Sequence, residues 1–110
     1  MTEADAEIVW HHACRMRRRA PVSLGHREWA AASPREAQDC GLRGLRAVLA
    51  DFRSQRDRLL RVRASIPSGS PVWMWYGAQI LDRERVIAAR EAMIAEVERD
   101  GMPPWPRSLR

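Results

Sequence analysis

Leu42, Leu45, Leu49, Phe52, Leu59 and Leu60 recur at three- and four-residue steps, a period that makes residues 34–63 one long amphipathic helix. Ser33-Pro34-Arg35-Glu36 opens it. The serine hydroxyl can accept from the free N–H groups of the first turn, proline has no N–H to leave unpaired at the first helical position, and Glu36 can reach back to the cap. On a wheel of about 100° per residue, Arg43, Arg46, Arg53, Arg58 and Arg61 lie opposite the leucines, with Asp51 and Asp57 to offset them between residues 42 and 63. One face needs a core, and the other is cationic. Gly41 and Gly44 interrupt the pattern, each costing about 1 kcal/mol relative to alanine in a helix interior. They leave two outcomes open: a break near residues 40–42, or a continuous helix whose missing side chains let another helix come close.

The rest of the chain arranges itself around that helix. Thr2 followed by Asp5 caps a first helix of about residues 3–19, with Ala4, Ile8, His11 or His12 and Cys14 or Arg15 along one side, stopped by Pro21. Residues 20–33 form a connector with a short helix around Gly25–Ala32, in which Trp29 is the expected core anchor. Residues 65–70, SIPSGS, are an uncharged turn, and Ser70-Pro71 repeats the start signal. A helix of about residues 71–99 follows, with Trp75, Tyr76, Ile80, Val86, Ile87, Met93, Ile94 and Val97 on one side, and Gly101 with Pro103 ends it. The run VWMWY also fits a short strand, but no second strand is available to pair with it.

Two helices of similar length, each roughly 45 Å, joined by a short link fold back antiparallel. Counting outward from the turn sets Phe52 near Arg83 and Leu45 near Arg90. The fold expected is all-α: a long antiparallel helical hairpin with a packed N-terminal helix over residues 1–101, and a proline-rich, extended C-terminal tail over 102–110.

At 110 residues the chain is long enough for one domain with its own core, and its 2 cysteines do not make a disulfide scaffold. The formal charge is +5, and every basic residue is arginine, a bias that GC-rich coding in a bacterium or phage accounts for. An excess of positive charge favours anionic partners. No basic segment followed by an apolar run opens the chain and no apolar stretch is long enough to span a membrane, so a cytoplasmic protein without membrane contact is expected.

Two binding surfaces compete, with nucleic-acid binding the leading reading and a protein–protein adaptor or assembly subunit the alternative. The first is a nucleic-acid face in which Arg43, Arg46, Arg53, Arg58 and Arg61 contact phosphates, with Arg17, Arg18 and Arg19 as a second patch. The cations at 17–19 also suit the negative end of a helix without any ligand. The second is a protein-docking surface made of Trp73 and Trp75 at the turn, where one can face the core while the other faces solvent, Arg83 and Arg90 within the apolar stripe, and Trp105 in the tail MPPWP, which is either an exposed docking peptide or a strap over its own domain. Arg83 and Arg90 need an anion, water or an acidic neighbour such as Asp51 or Asp39 if they are buried. Glu84, Glu91 and Glu98 form an acidic ridge at heptad spacing that can neutralise the arginines within one chain or between two, which admits a homodimer.

His11, Cys14, His26 and Cys40 are the soft-ligand set, at a spacing that matches no finger or ribbon, and no metal site is assigned to them. Glycine-rich phosphate loops, G-x-S-x-G and H-E-x-x-H are absent, so the expectation is a non-enzymatic binding protein without a cofactor.

Overall fold

The computed structural model describes residues 1–17 and 26–109. Its regular structure is α1 (Glu3–Met16), α2 (His26–Ala31), α3 (Pro34–Arg63), α4 (Pro71–Asp100) and a closing 3-10 turn over Arg107–Leu109. The chain is therefore all-α, with α1 packed on α3 and α3 on α4, and VWMWY is helical. Arg18 and Arg19 lie outside the described residues. Two compact units form, Met1–Ala47 with Ala92–Arg110, and Val48–Glu91.

The caps read from the sequence are present. Thr2 Oγ1 accepts from Asp5 N at 3.1 Å and the Asp5 carboxylate accepts from Thr2 N at 3.2 Å, a reciprocal capping box. Ser33 Oγ accepts from Glu36 N at 3.1 Å, and Ser70 Oγ accepts from Trp73 N at 3.2 Å. Such a cap contributes about 1 kcal/mol. Gly101, at φ +82°, ends α4 in the left-handed conformation, and its N–H donates to Val97 O at 2.9 Å.

In the first unit α3 runs unbroken through Gly41 and Gly44 because those glycines admit neighbours. A Cβ on Gly44 would stand 2.6 Å from His12 Cβ, so the two backbones meet where no side chain fits between them. On Gly41 it would meet Met102 Sδ at 2.9 Å. The buried face of α1 is Ala6, Val9, Trp10, His12 and Ala13; of the expected line His12 is buried and Ile8 and Cys14 are half-buried, while Ala4 and His11 are exposed. Close approach to Gly44 turns the small residues Ala6 and Ala13 and the flat Trp10 inward. Val9, Leu42, Leu45, Met93 and Val97 make one buried cluster, and Trp10, Ala13, Trp29, Ala37, Cys40 and Trp105 the other.

The second unit is thinner. Leu49, Ile80 and Ile87 are its buried apolar side chains, flanked by half-buried Phe52, Leu59, Trp73 and Tyr76. Contacts between α3 and α4 run in opposite chain order there. Arg53 meets Glu91, Gln55 meets Arg83, and the Arg63 guanidinium lies 5.1 Å from the Trp73 ring centroid.

Candidate functional site

A functional surface on this chain must be sought among side chains the fold leaves uncovered, and the largest apolar ones cluster in residues 48–91. The turn explains why. Gly69, at φ +81°, supplies the reversal, and the Ser70 cap fixes the rotational phase of α4 from its first residue. Trp73 then points inward under Arg63. Trp75, about 200° further round the helix, points out and is 55% exposed. Its ring meets Tyr76 edge-on at 5.1 Å, which limits its rotamers. Val72, one turn away on the same side, is 56% exposed. Met74 at 61% and Leu81 at 47% lie on a further face of α4, outside the stripe expected from the sequence.

The arginine face is exposed as expected, but much of its charge is already matched. In the first unit Arg46 Nη2 donates to Glu98 Oε1. In the second, Arg53 Nη2 donates to Glu91 Oε1 at 3.2 Å, and Arg56 pairs with Asp57 at 3.2 Å. The acidic ridge thus acts within one chain at Glu91 and Glu98. Arg43, Arg58 and Arg61 are exposed. Arg17 is occupied as well: its Nε is 3.3 Å from Glu36 Oε1 and its guanidinium sits 4.9 Å from the Trp29 ring centroid. Its role is to fasten α2 and α3 to the end of α1.

Arg83 is half-buried and finds amides rather than an aspartate. It donates to Gln79 Oε1 at 2.7 Å and Gln55 Oε1 at 3.4 Å, one turn beyond the expected neighbour Phe52. Arg90 is half-buried on the same helix. Neither presents an open guanidinium fork.

The tail does not stand free. Trp105 is only 9% exposed, with its ring 4.9 Å from Trp10 and 5.5 Å from His26. Trp10 in turn meets Trp29 at 5.7 Å. Trp10 Nε1 donates to Pro103 O at 2.9 Å, and Arg107 N donates to Glu3 Oε1, so the tail is strapped across α1. Trp105 is a core residue, and the expected docking peptide is corrected to a structural strap. Prolines made the strap legible as extended chain, but nothing in MPPWP marks which way its tryptophan turns.

The soft ligands are dispersed into other roles. Cys14 Sγ accepts from Trp29 Nε1 at 3.2 Å, the His26 ring lies tilted against Trp105, and His11 is exposed. Cys40 is buried, and desolvation pushes its thiol pKa up, partly opposed by Arg43. A thiol held protonated is a poor ligand and a poor nucleophile. No three potential ligands converge among the described residues, and no described helix is long and apolar enough to cross a membrane.

No family model, curated protein or solved structure matches the chain.

Proposed function

We propose that the protein is a non-enzymatic helical adaptor whose residues 48–91 act as a helical hairpin, binding another protein through Val72 and Trp75. The observation that carries this reading is the 55% exposure of Trp75 in a unit that buries so little of its own apolar surface. Large exposed aromatics are the commonest anchors of protein interfaces, and one held by a capped helix start and a neighbouring ring loses little freedom on binding. The ion pairs of Arg46 and Arg53 favour this reading over phosphate binding, because each would have to break before a nucleic acid could use that charge.

A photo-crosslinking amino acid placed at position 75, and separately at 58, tests it in cells of the source. Position 75 should yield an adduct with a protein of different mass, lost when Val72→Glu is added, while position 58 yields none. Nucleic-acid adducts at 58 with no protein adduct at 75 would reverse the assignment.

A further inference from the structure

Beyond the Val72–Trp75 patch, α4 carries a second regular feature. Met74, Ala78, Leu81, Arg85 and Ala88 follow alternating steps of four and three residues, the spacing of a coiled-coil seam, and every one of them is exposed. Alanine repeats the step at 92 and 95. The face that packs against α3 is a different one, through Trp73, Tyr76, Ile80, Arg83 and Ile87. A helix apolar on two sides expects a neighbour on each. Met74 at 61% and Leu81 at 47% have none.

We infer that this seam binds a second copy of the chain, α4 against α4 in antiparallel order about a two-fold axis near residue 83. The seam is self-complementary in that register. Ala78 faces the second copy's Ala88, so the helices approach closely at both ends of the contact. Leu81 faces the second copy's Arg85, and a long arginine can lay its methylene stem along a leucine.

Charge selects this occupant over a plain apolar helix. Arg85 is the one charged residue among these five positions, and its contact within the chain is a loose one, Nη1 to Asp82 Oδ1 at 3.9 Å. A neutral partner would bury that guanidinium with only the loose Asp82 contact to offset it. The second copy instead brings Asp82 and Glu84 to flank it, one on each side of the seam, where a guanidinium can fork onto a carboxylate. The two-fold axis also brings each Asp82 and Glu84 toward its own counterpart, so the two Arg85 side chains are what make the pairing possible. An isologous contact of this kind closes on itself and yields a dimer rather than a filament.

This inference does not depend on the Trp75 partner. It pairs the adaptor's binding patches, so that two Trp75 sites act together on a repeated target.

Sedimentation equilibrium of the full chain across the micromolar range tests it. The wild type should fit a monomer–dimer equilibrium. Arg85→Glu should weaken it about a hundredfold or more, because it sets a carboxylate among the second copy's Asp82 and Glu84, and Leu81→Ala about tenfold, because packing is lost in both copies. Both positions are exposed, so helicity by far-UV circular dichroism should not change. Mixing Arg85→Glu with the double variant Asp82→Arg, Glu84→Arg should restore association as a heterodimer, since opposite charges again meet. A wild type that stays monomeric, or a dimer indifferent to Arg85→Glu, overturns the inference. Trp75 crosslinking to another protein in either case would leave the adaptor reading standing.

Discussion

Trp10, Trp29 and Trp105 stand ring to ring in one unit of this protein, while Trp75 of the other stands in solvent. The residue type is the same and the surroundings differ. Residues 1–47 and 92–109 bring α1, α2, α3, the end of α4 and the tail together, so each apolar face meets another. Residues 48–91 have only two helical segments, and two helices can cover one face of each other but not two. Apolar side chains on a third side remain uncovered whatever the sequence there, unless another chain supplies the missing layer. The exposure of Trp75, Val72, Met74 and Leu81 is therefore a consequence of element count.

The sharpest way to break that contrast is to remove one tryptophan from each unit. Trp105→Ala should cost about 3–5 kcal/mol, the range for truncating a buried large aromatic, and should free the strap over α1. Trp75→Ala should change stability by less than about 0.5 kcal/mol, as surface substitutions do, while abolishing the crosslinked adduct. Urea denaturation of both variants decides the matter. Equal losses would mean that Trp75 is covered in solution. Trp105→Phe should recover most of the deficit, because the Trp105 indole N–H has no acceptor to lose.

A smaller effect separates the two helix-interior glycines. Alanine at either position gains about 1 kcal/mol of helix propensity. At Gly44 that gain is opposed by a Cβ 2.6 Å from His12 Cβ and 3.2 Å from His12 O, atoms on or next to a helix backbone that cannot swing aside. Overpacking of this kind costs roughly 1–3 kcal/mol, so Gly44→Ala should be destabilised overall. At Gly41 the nearest atoms belong to the flexible end of Met102, and Gly41→Ala should be neutral or slightly more stable. A thermal melt in which Gly44→Ala is no less stable than the wild type would show that α1 does not pack against α3 at Gly44.

Much of this was legible in the sequence, and what was not has a physical cause. The caps at Thr2, Ser33 and Ser70 and the stop at Gly101 are local, and local hydrogen bonding decides them. The capacity of Glu91 and Glu98 to neutralise the arginine face followed from heptad spacing on one helix opposite another. Ala6 and Ala13 were missed on the buried face of α1 because they carry little hydrophobic signal; they are inside because Gly44 lets α1 come close. The fate of Trp105 depends on Trp10, which meets its ring, holds Pro103 O through its own indole N–H, and is distant in the chain. The exposed seam on α4 was hidden by its alanines, which read as filler on a helix whose other faces hold larger residues. Trp73 and Trp75 were expected to divide between core and solvent, and only the cap at Ser70 says which goes where.

The ion pairs across α3 and α4 give the smallest expected effect and the finest test of the contrast. Arg53 and Glu91 are each about half exposed and held by one hydrogen bond, so a double-mutant cycle with Arg53→Ala and Glu91→Ala should return a coupling of about 0.2–1 kcal/mol. Salt should shrink it further. The pair thus does little for stability, yet it governs what the cationic face offers. Glu91→Gln frees Arg53 and raises the net positive charge of that face. A protein whose partner docks at Trp75 should show the same weak, salt-sensitive affinity for duplex DNA before and after the change. If affinity instead rises severalfold with a steeper salt dependence, the face is a phosphate site held in check by Glu91, and residues 48–91 serve a nucleic acid rather than a protein.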